Sequence, residues 1–302
     1  MSADESSNAP DWFTRSPFSS PLDYPAPEAA VQVEFGARTR RGPLRPVNDD
    51  HYLILRLGRH EETLLTSLPD SDVPKRFDEY GYGLVIADGI GGAGEAASRL
   101  AISSLVHLAI SFGRWHVRVD EAVAEEMMDR ARRFYRSVDS MLLQASQDSQ
   151  RGLQSTLTAI YNAGTELFVA HVGHSRAYVF RDNRLVQLTR DHTVASERPA
   201  GRAMVDVAAT ARDFHHIVTE RLGAARSDAP RIDVERFGLL DGDAVLLCTN
   251  GLTDAVEDRQ IADVLRQHGT AHDLCRSLVD LAVGAGGKDD VTALVARYHI
   301  PA

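Results

Sequence analysis

Asp88 follows the apolar run Leu84-Val85-Ile86-Ala87 and precedes Gly89, with Ile90, Gly91 and Gly92 next in line. A carboxylate at the point where a buried strand opens into glycine can hold a hard cation. The glycines let the backbone turn sharply and approach a ligand, so the Gly89 carbonyl can join Asp88 as an oxygen ligand for Mg²⁺ or Mn²⁺. Alone, the motif also fits ordinary loop chemistry, and it lacks the lysine and spacing of a phosphate-cradling P-loop. Three other acidic segments stand at the ends of apolar runs or beside them: Arg45-Pro46-Val47-Asn48-Asp49-Asp50, Thr249-Asn250-Gly251-Leu252-Thr253-Asp254 and Lys288-Asp289-Asp290-Val291-Thr292. Brought together, they would offer oxygen ligands from separate loops to two cations roughly 3.5–4 Å apart. Such a pair suits phosphate ester hydrolysis, one ion activating water and both neutralising phosphoryl charge.

In this order the motifs resemble those of the metal-dependent type 2C protein serine/threonine phosphatases, in their bacterial form. Arg45 with Asn48-Asp49-Asp50 is similar to the family's Arg-x-x-Asn-Glu-Asp element, and Asp88-Gly89-Ile90-Gly91-Gly92 to its Asp-Gly-x-Gly-Gly element. Ser155-Thr156-Leu157-Thr158 resembles the Thr-Thr-Leu-Thr strand, Val172-Gly173-His174-Ser175-Arg176-Ala177-Tyr178 the Val-Gly-Asp-Ser-Arg-x-Tyr element, and Leu188-Thr189-Arg190-Asp191-His192 the Leu-Thr-x-Asp-His element. The likeness runs from about residue 33 to 298. It implies an α+β four-layer sandwich, two antiparallel sheets face to face with helices on both outer sides. It also implies a protein serine/threonine phosphatase that hydrolyses phosphoserine or phosphothreonine with metal-activated water and two Mn²⁺ or Mg²⁺ ions. Asp88 would bridge both metals, the Gly89 carbonyl and Asp49 would complete one side, Asn250 and Asp289 would hold the other, and Arg45 would grip the substrate phosphate. Phosphorylated proteins made by a serine/threonine kinase are the implied partners.

Three positions depart from the family pattern. Asn250 replaces an aspartate, keeping a carbonyl oxygen for the metal but losing a charge. His174 replaces the aspartate that the resemblance associates with a third, weaker metal, and imidazole suits Mn²⁺, Fe²⁺ or Zn²⁺ better than Mg²⁺. Asp49 is one methylene shorter than the usual glutamate, so its contact can run through water. Ile90 stands where animal relatives carry a histidine, which leaves metal-bound water as the acid for the leaving group. Other readings remain open from the residues alone. His174 also reads as a strand-end histidine with a satisfied hydrogen bond, Asn250 as a turn residue before glycine, Asp289-Asp290 as a solvated pair, and Arg45 as part of an exposed basic cluster with Arg38, Arg40 and Arg41. A catalytically weak or inactive member that binds phosphoproteins as a regulatory module is the alternative function.

The positioning elements are legible from periodicity. Leu84 to Ala87 reads as a strand, and a largely apolar helix begins near Glu95 and runs to Ile110. Val123, Met127, Ala131, Phe134, Val138, Met141 and Leu142 form one apolar stripe of a second helix. Strands follow at Leu157–Tyr161, Glu166–Val172, Ala177–Phe180 and Leu185–Leu188, with Arg181-Asp182-Asn183-Arg184 as a hairpin turn; consecutive hairpins imply antiparallel sheet. After Asp191 periodicity is weak, and the resemblance implies a flap-like segment beside the site at about residues 192–216. Helices return at Gln260–Gln267 and Asp273–Val283 before a last strand, Val291–Tyr298. Residues 1–30, with five prolines and no sustained period, read as a flexible tail ahead of a phosphatase domain over 31–302.

Composition agrees with one enzyme domain: 302 residues, 43% hydrophobic and 25% charged. A net charge of −10 with scattered arginines argues against a nucleic-acid surface. No apolar stretch approaches the roughly 20 residues of a membrane span, and the N-terminus does not read as a signal peptide, so a cytoplasmic, monomeric protein is expected. The two cysteines, Cys248 and Cys275, lie in apolar patterns and read as buried thiols rather than a disulfide, a zinc site or a nucleophile.

Overall fold

The computed structural model describes residues 31–69, 72–114, 119–197 and 217–301. The expected tail at 1–30 and most of the expected flap lie outside these residues. Two antiparallel sheets are present. One has the order β1 (Gln32–Arg40), β11 (Val291–His299), β10 (Ala244–Cys248), β7 (Arg176–Arg181), β8 (Arg184–Gln187). The other runs β2 (Asp50–Glu62), β3 (Arg76–Ile90), β5 (Leu157–Ala163), β6 (Glu166–Val172), β9 (Asp233–Gly238), with the short β4 (Gln154–Ser155) pairing the end of β3.

Alternation along each strand divides its side chains between layers, because successive residues point to opposite faces. In β3, Leu84 and Ile86 pack between the sheets while Val85 and Ala87 pack outward under α1 (Gly94–Phe112) and α2 (Glu121–Ser149). In β10, Val245 and Leu247 face the other sheet, while Leu246 and Cys248 face α5 (Asp258–Leu265) and α6 (Ala271–Gly284). Both faces of each sheet are therefore covered. That explains why the central strands are continuous apolar runs rather than hydrophobic–polar alternations, and the result is the expected four-layer α+β sandwich. Among the described residues the remaining helices are short, α3 (Val194–Glu197) and α4 (Asn250–Thr253).

The hairpin reading of residues 157–188 holds for β5–β6 and β7–β8, where Asp182 and Asn183 take left-handed φ values of 50° and 62° in the turn. It fails between β6 and β7. The chain leaves one sheet at Val172 and enters the other at Arg176, crossing the sandwich at its end. Gly173, with φ of 117°, makes that crossing possible, and a Cβ there would lie 2.5 Å from the Thr156 side chain. β3 is also longer than its apolar run, extending back to Arg76 along β2.

Candidate metal centre

β3 delivers Asp88 to the open end of the sandwich. In the β2–β3 register it lies directly opposite Asp50, and both are buried, 8% and 4% exposed. The Asp88 backbone is pinned: its N–H donates to Thr156 Oγ1 (3.0 Å) and its carbonyl accepts from Thr156 N (2.9 Å) and Ser155 Oγ (3.1 Å). Asp50 Oδ2 accepts hydroxyl bonds from Thr249 (2.8 Å) and Thr292 (2.7 Å) in the opposite sheet's segments, whereas its Oδ1 is buried without a hydrogen-bond partner. Burial pushes the Asp50 carboxyl up, against the pull of the two threonine hydroxyls. Burial, with Asp50 and Asp289 nearby, holds the Asp88 carboxyl well above the usual carboxylate range.

The loop between β1 and β2 is tied to the start of β11. Asp290 accepts from Gly42 N (2.8 Å) on one oxygen and from Asp49 N (2.7 Å) on the other. Across this loop Arg45 reaches Asp289, with Nε donating to its Oδ1 at 2.8 Å and Nη2 lying 2.6 Å from the same oxygen, and Nη1 lies 3.4 Å from Asp49 Oδ2. The Arg45 guanidinium loses stabilisation through burial, but Asp289, Asp290 and Asp49 more than offset it and its pKa rises. Burial raises the Asp49 carboxyl in spite of Arg45.

Gly94, at the start of α1, shows how close the Asp49 carboxylate and the Gly89 carbonyl come. A Cβ on Gly94 would lie 2.7 Å from both Asp49 Cγ and Gly89 O, so glycine leaves these two oxygen ligands clear. Of the residues expected at the site, Asp49 and the Gly89 carbonyl meet at Gly94, Arg45 joins Asp289 and lies near Asp49, and Asp88 stands at the end of β3 directly before Gly89. Asn250 opens α4 and donates its amide N–H to Asp254 Oδ2 (2.9 Å). The next residue, Gly251, packs on the Asp290 carbonyl, where a Cβ would be 2.0 Å away. His174 is 8% exposed in the β6–β7 crossing. Its neighbour Ser175 meets Thr156 Oγ1 at 3.1 Å, the same hydroxyl that receives the Asp88 N–H.

Several supporting residues carry no sequence-level assignment. Asp50 and Asp290 occur within the acidic motifs, but a doublet does not reveal which member faces the centre. His171 and His192 clamp the crossing. Gly173 N donates to His192 Nδ1 (3.3 Å), and the Gly173 carbonyl accepts from His192 N (2.7 Å) and from His171 Nε2–H (3.0 Å). His192 Nε2 then donates to Asp233 (2.9 Å), and His171 Nδ1 pairs with the Thr158 hydroxyl (2.8 Å), so each ring is a neutral Nε2–H tautomer. Burial drives His171 down to about 3 and lowers His192 as well. A histidine inside the apolar β6 run is the one signal by which His171 could be found.

The donor set fits a hard divalent cation. Its ligands are oxygens, its buried carboxylates outnumber the neighbouring Arg45 guanidinium, and one buried Asp50 oxygen is unmatched by any donor. In this conformation no three His, Cys, Asp or Glu side chains among the described residues draw together tightly enough to hold an ion. Arg45 takes up Asp289, and Thr249 and Thr292 take up one oxygen of Asp50.

A family model for protein phosphatase 2C matches residues 84–204. The serine/threonine protein phosphatase PstP of Mycobacterium tuberculosis is 33% identical over 220 residues, which is 70% of this chain and 40% of that protein. The chain therefore spans about two-fifths of that relative's length. The protein phosphatase PhpP of Streptococcus pneumoniae is 29% identical over 219 residues, covering 72% of this chain and 85% of PhpP. Among solved structures, the Mycobacterium tuberculosis phosphatase PstP/Ppp superposes with a TM-score of 0.67 at 27% identity, over 88% of this chain and 99% of that one. The catalytic domain of PstP in complex with two manganese ions gives 0.64 at 26% identity, over 89% and 99%. No helix among the described residues is long and apolar enough to cross a membrane. The ordered motifs, the two-sheet sandwich and these likenesses agree, and residues 84–204 of the chain match the protein phosphatase 2C family.

Proposed function

We propose that this chain is a metal-dependent phosphoprotein phosphatase acting on phosphoserine and phosphothreonine. The observation that supports this reading best is the meeting of the Asp49 carboxylate and the Gly89 carbonyl at Gly94, directly after Asp88 in the chain, with Arg45 bonded to Asp289 and Asp49 alongside. Asp88, Gly89 and Asp49 would hold one Mn²⁺ or Mg²⁺ ion, and Asp88, Asp289 and Asn250 a second; His174 is a candidate for a third, weaker site. When bound, such ions activate water and neutralise phosphoryl charge.

The chain's own residues do the positioning. The Ser175–Thr156–Asp88 hydrogen-bond path fixes the strand end that carries the central carboxylate. Asp290 holds the Gly42–Asp49 loop, so the Arg45 guanidinium is presented from a braced turn rather than a loose one. Its planar fork matches two phosphate oxygens. On substrate binding Arg45 exchanges Asp289 for the phosphate, which releases that carboxylate for its ligand role. Phosphoproteins generated by a serine/threonine kinase are the substrate class, and the protein acts as a monomer in the cytoplasm.

Hydrolysis of a phosphothreonine peptide, titrated with Mn²⁺ and Mg²⁺ after chelator treatment, tests this reading with Asp88→Asn as control. Metal-dependent turnover that vanishes in Asp88→Asn is expected. Absence of turnover from a cooperatively melting sample with either metal would overturn it in favour of a phosphoprotein-binding module.

A further inference from the structure

Helices α1 and α2 do not close completely on the outer face of the β2–β3–β5–β6–β9 sheet. Between them lies a cavity of about 160 Å³, walled by Leu55 and Val85 from the sheet and by Leu105, Ala131 and Phe134 from the helices. Its wall is almost wholly carbon. Val85 and Asp88 point to opposite faces of β3, so this space is separate from the acidic centre. An engineered apolar cavity of about 150 Å³ stays dry and takes up benzene or xenon, so the room here suits one aromatic ring or a short alkyl chain.

The polar features lie at the rim. Among the described residues, Arg114 and Arg130 are the charged groups that line the cavity. Arg130 is 9% exposed, donates from Nη1 to the Arg114 carbonyl (3.1 Å) and pairs with Glu126 through Nη2. The Arg114 guanidinium lies 3.8 Å from the same carboxylate and its side chain is 74% exposed. Two guanidiniums thus share one carboxylate, leaving a positive excess beside an apolar hole. The exposed Ile110 and Phe112, just before Gly113 and Arg114, continue the apolar surface outward.

We propose that this cavity binds a small amphiphilic anion, an aromatic ring or short alkyl chain bearing a carboxylate. The apolar body fills the space between α1, α2 and the sheet, and the carboxylate sits on Arg114. This chemistry follows from the lining: carbon walls have nothing to offer a polar body, and the arginine rim rejects a cationic head.

Calorimetric titration of the full chain with 3-phenylpropionate tests the proposal, with 3-phenylpropylamine as the cationic counterpart. Ala131→Leu and Ala109→Leu each fill the cavity from a different helix, and thermal melts identify the variant that folds. Saturable one-site binding of the acid is expected, weakened about tenfold or more by a filling substitution and about threefold by Arg114→Gln. No saturable binding up to about 10 mM, unchanged binding in a folded filling variant, or amine binding as tight as that of the acid would each overturn it.

Discussion

Asp50 and Asp88 stand opposite each other across the β2–β3 ladder, two buried carboxylates as direct cross-strand neighbours. Like charges in that relation destabilise a sheet. Asp50 is drawn across the sandwich by Thr249 and Thr292, which leaves Asp88 facing the opening with Asp289 nearby. The end of the fold therefore disfavours ionised carboxylates until a cation is bound, and any ion that binds only the native state stabilises it by mass action.

The pH dependence of the metal-free protein follows from this pair. A carboxyl whose folded pKa is raised stabilises the fold below its unfolded pKa, and that stabilisation is lost as pH rises through the folded value. Chelated wild type should therefore lose stability from mildly acidic to alkaline pH. Asp88→Asn should melt at a higher temperature than wild type at pH 8, while losing Mn²⁺-induced stabilisation. Melts with and without metal at pH 6 and 8 check both signs.

Asn250→Asp adds a charge to the second ligand set and removes the amide that donates to Asp254. Manganese affinity measured by calorimetry should tighten about tenfold, because ligand charge count tunes cation affinity. Without metal the variant should be less stable by about 1 kcal/mol, the value of the lost hydrogen bond. Unchanged affinity would show that residue 250 is not a ligand.

Arg45→Ala separates two roles that this guanidinium combines. It frees Asp289, so Mn²⁺ binding in the absence of substrate should be no weaker than in wild type. The KM for a phosphopeptide should rise by about tenfold or more, as expected for loss of a charge-assisted phosphate contact worth about 1.5–3 kcal/mol. Weaker metal binding with unchanged KM would reverse the assignment.

His171 makes the fold acid-sensitive. Its folded pKa is depressed to about 3 by burial, so its contribution is present above the unfolded value near 6.5 and is lost progressively as pH falls from there toward 3. At pH 5 the loss is about 2 kcal/mol. In His171→Gln, denaturant unfolding at pH 5 and 7 should show a correspondingly smaller difference, although the variant starts from a lower stability because it disturbs the clamp on Gly173.

Strand and helix periods, the Asp88-Gly89 junction and the order of the acidic segments were all present in the chain, because side-chain periodicity and glycine turns are local properties. The layer to which each strand face belongs follows from alternation once the partner sheet is known. What required the tertiary structure was non-local. The Asp49-Asp50 doublet could not show that Asp50 faces Asp88 while Asp49 lies against Gly94 and the Gly89 carbonyl, since adjacent residues at a strand end diverge and only the β2–β3 register decides between them. Likewise, nothing local pairs Arg45 with Asp289, 244 residues away, or makes two histidines from different segments grip Gly173 where the chain crosses between sheets. Those relationships depend on how the sheets stack, and the stacking is set by burial summed over the whole core rather than by any one motif.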